Sequence, residues 1–452
     1  MFKNYVRKKL EKLVKKYFAR HHPKLIVVVG AAGKTTTKTA IATVLSTKWR
    51  VQMENGNHNT ALSVPPAILG VKYPDNVKSV VEWRRVFKAM KIRIKQPTGV
   101  DAIVQELGTS APGEIPHFGT YLKPDIAVIT SVLPEHMEFF KDLDAVAKEE
   151  LNVASWSNLT IVNRDDIDAK FAGYADTHNI DTYGLLEPAE YRFEIDDGSP
   201  LDGYQGKFIS PDFGAVASAV NLVGEQNVKA AVAAGAVAAK LGMTADEIAL
   251  ALPEIRPVSG RMNILQGFRD TTILDDTYNA LPDAVAAALR TLYQIQTPQR
   301  IAILGGMNEL GQSKSFEHTR IGQLCDPKLL DWVITIGEDA ARYIAPAAKH
   351  RGNNVASFKS PYDAGAFCNR VMRPGAVILV KGSQNGVFAE EAVKVLLRRI
   401  EDEDQLVRQS DNWKKIKDAQ FEKNFVTDLA APVKDDVAKA AEPAAAKNNH
   451  TK

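Results

Sequence analysis

Tyr5, Val6, Leu10, Leu13, Val14 and Tyr17 recur at helical spacing, so residues 1–23 predict one amphipathic helix that Pro23 ends. From Lys24 the rhythm changes. Residues 25–29 are a wholly apolar, mostly β-branched run, the mark of a parallel strand buried on both faces. A glycine loop and a helical stretch from Lys34 follow, and further apolar runs come at residues 102–104, 126–129 and 159–162 with helical patterns between them. This alternation predicts an α/β domain over residues 24–258 on a mainly parallel sheet. Residues 180–220, richer in aromatic and turn residues, predict added antiparallel strands, and an alanine-rich helix is expected over 228–241. A second alternation starts after Ser259-Gly260-Arg261, with strands expected at 272–274, 300–304, 332–336 and 376–380. It reads as a smaller, doubly wound (Rossmann-like) domain over residues 259–400. Residues 401–452 read as a charged helix followed, from Ala430, by a disordered tail without apolar period.

Composition narrows the class. Two cysteines, Cys325 and Cys368, are too few for a disulfide framework or a four-thiolate zinc site. No apolar run approaches the roughly 18 residues that span a bilayer, so a cytoplasmic location is expected. The net charge of +3 hides an asymmetry: residues 1–24 carry nine Lys/Arg against Glu11 alone, while the rest holds 48 basic and 53 acidic residues. Two readings of the first helix follow. It lies on an anionic membrane surface through residues 1–22, placing the chain at the inner face of the membrane, or it packs on its own domain with a solvated basic face. A nucleic-acid partner is not expected, because the remaining chain is acidic and carries no recognised nucleic-acid module.

The strongest chemical signal is Gly30-Ala31-Ala32-Gly33-Lys34-Thr35-Thr36 between a strand and a helix. Successive amides and the helix N-terminus suit phosphate, Lys34 suits the β/γ oxygens, and a hydroxyl of Thr35 or Thr36 can reach Mg²⁺. The central domain is therefore expected to be a P-loop ATPase domain using ATP and Mg²⁺. Glu106 closes the run at 102–104, His136 follows the run from 126, and Asp276, Asn279 and Lys381 follow runs in the second domain. Ligands of open α/β sheets gather at such strand ends. Polar strand ends in two domains imply a cleft where a nucleotide and an acceptor could meet.

Taken in order, these segments resemble the ATP-dependent Mur ligases. The carriers are GAAGKTTT at Gly30–Thr37, NGNHN at Asn55–Asn59, ELG at Glu106–Gly108 and EHMEFF at Glu135–Phe140, then SGRMN at Ser259–Asn263, DDTYNALPDA at Asp275–Ala284, LGGMNELG at Leu304–Gly311 and KGSQNG at Lys381–Gly386. The resemblance implies amide-bond formation: ATP phosphorylates a carboxylate, and an amine displaces phosphate from the acyl phosphate. It further implies that Lys34 contacts the β/γ phosphates, that Thr35 and Glu106 hold Mg²⁺, and that His136 serves a second Mg²⁺. Arg261 and Asn279 would bind ATP from across the cleft, and Asn57, Asn59, Asp276 and Lys381 would serve the substrates. The DDTYNA, MNELG and KGS segments point to the branch that adds D-alanyl-D-alanine to a UDP-muramoyl tripeptide.

Four departures accompany the resemblance. The family's N-terminal uridine-holding domain is not seen before the phosphate loop. Glu150 stands fourteen residues after His136, where the family commonly carries a carbamylated lysine. It is expected to supply a carboxylate directly, because Lys148 lies about 200° round the helix and faces elsewhere. The family's G-x-H-N-x-x-N reads Gly224-Glu225-Gln226-Asn227-Val228-Lys229-Ala230, and its LGDM reads Leu304-Gly305-Gly306-Met307. The leading expectation is thus a peptidoglycan-precursor ligase. The alternatives are the same chemistry on a lipid-linked or polymer acceptor, and a membrane-associated P-loop ATPase scaffold.

Overall fold

The computed structural model describes residues 2–177 and 179–428; the tail expected from Ala430 lies outside them. The first half comprises α1 (Phe2–His21), β1 (Lys24–Val29), α2 (Lys34–Ser46), β2 (Val51–Met53), α3 (Val64–Ile68), α4 (Val80–Lys95), β3 (Ala102–Glu106), α5 (Glu114–Gly119), β4 (Ile126–Ile129), α6 (Leu143–Leu151), β5 (Leu159–Asn163), β6 (Ile180–Gly184), β7 (Tyr191–Ser199), β8 (Gly203–Ser210), β9 (Gly214–Val220), α7 (Glu225–Lys240) and α8 (Ala245–Ala251). Its nine strands form one sheet in the order β2-β3-β1-β4-β5-β6-β7-β8-β9, parallel up to β7 and antiparallel beyond. β1, β3 and β4 are buried almost throughout, which is why they read as continuous apolar runs.

Helices cover both faces. On one, α2 and α7 bury Ile41, Val44, Leu45 and the alanines of α7 against Ile26, Val28 and Val128. Gly235 lets α7 approach closely, since a Cβ there would sit 2.6 Å from the Phe208 ring. On the other, α1, α4, α5 and α6 pack over Val27, Val29 and Ile129. Val6, Leu10, Leu13, Val14 and Tyr17 of α1 are buried there with Trp83, Val86, Phe87 and Met90 of α4. Of the two readings of α1, the packing is the one in which its apolar face joins the core of its own domain and its basic face is left solvated. Among the described residues no helix is long and apolar enough to cross a membrane.

The second half comprises β10 (Asn263–Gln266), β11 (Thr272–Asp276), α9 (Pro282–Gln294), β12 (Arg300–Gly305), α10 (Lys314–Leu324), β13 (Trp332–Ile336), α11 (Ala345–His350), β14 (Val355–Phe358), α12 (Pro361–Val371), β15 (Val377–Lys381) and α13 (Glu390–Leu396). Its sheet runs β10-β11-β15-β12-β13-β14, with only the β10 edge antiparallel. Residues of α9, α10 and α11 pack one face and residues of α12 and α13 the other, giving two apolar layers. Cys325 and Cys368 are buried, one in each layer, and burial pushes both thiols up to about 12. Residues 408–428 belong to a separate unit that carries α14 (Asp411–Asp428).

Candidate functional site

The first sheet reverses its winding about β1, whose neighbours are β3 and β4, so the crevice at their C-terminal ends collects polar residues. Gly30 turns the chain there at φ 122°; a Cβ would meet Thr130 Oγ1 at 2.4 Å and the Ser131 amide at 2.8 Å. The loop is tied to the end of β4. Ala31 N donates to the Ser131 carbonyl (3.1 Å), Ala32 N to Ser131 Oγ (2.8 Å), and Thr130 Oγ1 donates to the Ala32 carbonyl (2.6 Å). Gly33 caps α2 at φ 80°, and the first intrahelical bond runs from Thr37 N to the Gly33 carbonyl. The amides of Lys34, Thr35 and Thr36 therefore sit in the open first turn, the arrangement that receives phosphate.

Lys34 Nζ donates to the carbonyls of Gly30 and Ala31 and lies 3.8 Å from Glu135 Oε2. Burial pulls its ammonium down, but the carboxylates of Glu135, Glu150 and Glu106 outweigh this and hold it above the usual lysine range. Thr35 Oγ1 donates to Glu106 Oε2 (2.8 Å), and Asn59 Nδ2 donates to Glu106 Oε1 (2.8 Å) and Asn57 Oδ1 (3.0 Å). Lys38 Nζ pins the asparagine loop by donating to the carbonyls of Glu54 (2.8 Å) and Gly56 (2.9 Å).

The second half closes on this cluster. Arg261 donates to Thr35 Oγ1 (3.0 Å) and its guanidinium lies over the Tyr278 ring at 4.2 Å, while Asn57 Nδ2 donates to the Tyr278 hydroxyl (2.6 Å). His136 Nδ1 pairs with Glu309 Oε2 at 2.9 Å. That hydrogen bond raises the imidazole pKa against the opposing pull of burial, and it holds the Glu309 carboxyl below its usual range. His136 (φ 49°) and Glu309 (φ 65°) are both in the left-handed region, as is Met262 (φ 53°) beside Arg261. Three strained non-glycine positions gathered where the halves meet is the pattern of a functional contact.

Together the walls enclose a cavity of about 540 Å³ lined by Lys34, Thr36, Glu106 and His136 from one side and Arg261, Asn279 and Lys381 from the other. Asn57, Asn59 and Asp276 also line it. Lys381 does not point free into it: Nζ donates to Asp276 Oδ2 (2.6 Å) and to the Asn279 carbonyl (2.9 Å). The Gly224–Ala230 stretch, at the start of α7, forms another part of the wall, where Lys229 Nζ donates to both oxygens of Asp166 at 2.8 Å.

Glu150 is absent from the cavity lining. It is fully buried beneath the loop, where Oε2 accepts from Gly30 N (2.9 Å) and Oε1 has no hydrogen-bond partner. Burial drives its carboxyl well above the usual range, Lys34 pulls it back, and Glu135 pushes it further up. Glu135 is the carboxylate that reaches the cavity wall, and its Oε1 also lacks a partner. Lys148 faces outward over the Tyr174 ring, as its helical angle requires, and Glu149 accepts from the amides of Gly113 and Ile115 at the start of α5.

Among the described residues no three His, Cys, Asp or Glu side chains gather closely enough to hold a metal by themselves. The donors nevertheless suit Mg²⁺, which takes one or two carboxylates and fills its octahedron with phosphate oxygens and water. Thr35 and Glu106 offer such oxygens beside the loop, and the two orphaned carboxylate oxygens of Glu135 and Glu150 mark a spot short of positive charge. Sequence reasoning passed over Glu135, Tyr278, Glu309 and the Lys229–Asp166 pair. Tyr278 and Glu309 lie inside segments already singled out, and Glu135 directly precedes His136.

Residues 28–238 match the family model of the Mur ligase middle domain, and residues 260–384 that of the Mur ligase glutamate ligase domain. Curated relatives include the UDP-N-acetylmuramoyl-tripeptide–D-alanyl-D-alanine ligase of Bacillus subtilis, 26% identical over 396 residues that cover 86% of this chain and 79% of that protein. The enzyme of the same name from Treponema pallidum is 27% identical over 392 residues, 85% of this chain and 77% of the relative. Among solved structures, MurF from Acinetobacter baumannii superposes with a TM-score of 0.71 at 24% identity, covering 87% of this chain and 81% of the other. MurF from Thermotoga maritima in complex with ADP gives 0.70 at 20% identity, covering 88% and 84%. With the phosphate loop, the strand-end carboxylate and the closing second sheet all inside these two matches, the chain belongs to the Mur ligase family.

Proposed function

We propose that the chain is an ATP-dependent peptide ligase that joins D-alanyl-D-alanine to a UDP-N-acetylmuramoyl tripeptide in peptidoglycan precursor synthesis. One observation carries the reading: a phosphate-binding helix start with Lys34, Thr35 and Glu106 faces Arg261, Asn279 and Lys381 of a second α/β layer across a single cavity. Phosphoryl transfer to a carboxylate needs positioning and charge neutralisation more than covalent help from the protein. Lys34 and the first-turn amides of α2 serve the phosphate oxygens. Arg261 brings a second cation from across the cleft, held flat by Tyr278. Mg²⁺, held by Thr35 and Glu106 with a second ion near His136 and Glu135, would neutralise the transferring phosphoryl oxygens. Asn59 orients Glu106, and Glu150 is a positioning residue that holds Gly30 and balances Lys34 from below. Asn57, Asp276 and Lys381 shape the acceptor side. The relatives' names supply the substrates of this reading.

The test is ADP and phosphate release with Mg-ATP, UDP-muramoyl tripeptide and D-alanyl-D-alanine, each omitted in turn. Release that needs both substrates, with a product heavier by one dipeptide, is expected. ATP turnover indifferent to both would overturn the substrate assignment.

A further inference from the structure

Outside the cleft, the most unusual surface is made by α1 and α4. The two helices lie side by side in the same direction: Lys9 Nζ sits over the Phe87 ring at 4.2 Å, and Arg20 donates to the Lys95 carbonyl (3.2 Å) at their C-terminal ends. They hold fourteen Lys and Arg and two acids, while the remaining chain holds 43 basic and 52 acidic residues. Because the apolar faces of both helices are buried, the cations are turned outward. Lys8, Lys12, Lys15 and Lys16 of α1 and Arg84, Arg85, Lys88 and Lys91 of α4 are all exposed. Neither acid interrupts this face: Glu11 is engaged with His117 (2.8 Å), and Glu82 accepts from the Asn76 amide (3.0 Å).

We infer that this two-helix face docks the protein on a lipid bilayer rich in anionic headgroups, by charge, while the buried apolar face of α1 stays in the protein core. The inference goes beyond the ligase reading and does not depend on it. Charge complementarity is the first argument: a field of lysines and arginines on an otherwise acidic chain is drawn to a negative surface and gives a fixed orientation. The second concerns what borders the field. Phe2 and Tyr5 at the start of α1, and Val80 and Val81 at the start of α4, are exposed apolar side chains. The interfacial zone of a bilayer accepts aromatic and aliphatic groups, whereas a nucleic-acid backbone offers them nothing. Both helices turn back into the parallel strands β1 and β3, so these helix starts lie toward the C-terminal ends of the strands, where the phosphate loop follows β1.

The test is co-sedimentation of the full chain with vesicles of phosphatidylcholine alone and of phosphatidylcholine mixed with phosphatidylglycerol. Binding is expected only to the mixed vesicles, and raised salt should release it. The combined variant Lys12→Glu, Lys15→Glu, Lys88→Glu and Lys91→Glu should lose at least about a hundredfold in vesicle affinity. Its ATP turnover and melting temperature should match the parent. A control with the same number of reversals at Lys207, Lys328, Lys349 and Lys359 should bind as the parent does. Equal binding to neutral vesicles, no binding to the mixed ones, or equal losses in the two variants would overturn the inference. Duplex DNA bound as tightly as the mixed vesicles, with the same sensitivity to the α1 and α4 reversals, would reassign the face to nucleic acid.

Discussion

Lys381 and Asp276 occupy paired positions on β15 and β11, with Nζ and Oδ2 2.6 Å apart and only 4% and 12% of the side chains exposed. Two charges this buried are tolerable only as partners. Lys381→Met strands the carboxylate and also leaves the Asn279 carbonyl without its donor; Asp276→Leu strands the ammonium. Removing one member of a buried ion pair costs about 3–5 kcal/mol, whereas replacing both with apolar groups of similar volume is often neutral or stabilising. The single variants should therefore lose roughly 10 °C of melting temperature, and the double variant should recover most of that loss. Thermal unfolding and urea titration of the four proteins measure the coupling directly. If each single change costs less than about 1 kcal/mol, or the two losses simply add in the double variant, the pair does not stabilise this wall as reasoned. Ligase turnover is a separate readout: a double variant that regains stability but stays inactive assigns the Lys381–Asp276 pair a substrate role besides the structural one.

Two further outcomes are expected. Asp275 is fully buried, and burial pushes its carboxyl up to about 6 despite hydrogen bonds from Thr277 and Gly260 and with repulsion from Asp276. Between its ordinary value and about 6 the folded protein keeps a proton that the unfolded chain has released. Its contribution to stability is thus full at low pH and is lost as pH rises through about 6, a change of roughly 3 kcal/mol. The stability difference between the parent and Asp275→Asn, followed by urea titration from pH 4 to 7, should shift in the variant's favour by that order; a difference constant with pH would refute it. Gly30→Ala should abolish ATP binding, measured by calorimetry, because the added Cβ collides with Thr130 and Ser131 and the φ of 122° is closed to it. ATP affinity within about threefold of the parent would show that the loop can move away.

The sequence is most legible where one physical demand dominates. Strands β1, β3, β4, β12 and β13 are buried on both faces, so their apolar runs stand out without an alignment. β2 and β14 escape notice because they are three and four residues long and half-buried. The phosphate loop is equally visible, since its glycines, lysine and threonines act within one short segment. Less visible are contacts built from distant parts. Arg261 lies 226 residues from Thr35, and Asn57 lies 221 from Tyr278. Periodicity says nothing about which loops will meet. Glu150 shows the same limit from the other side: its spacing from His136 placed it near the loop, but only packing reveals that it supports the loop from beneath while Glu135 faces the cavity. For α1, amphipathicity alone does not say whether its apolar face enters lipid or a protein core, and burial of Leu10, Val14 and Tyr17 against α4 assigns that face to the core.

The two cysteines have a practical consequence. Both thiols are sealed in the second sheet's opposite apolar layers, and no other cysteine occurs in the chain. A thiol reagent added to the native protein must wait for one of those layers to part. Cys325 then reports breathing on the α9–α11 side and Cys368 on the α12–α13 side, with the nucleotide-binding half contributing no background. The molecule thus carries a pair of stopwatches, able to time how ATP or an acceptor damps local opening in the half that faces the phosphate loop across the cavity.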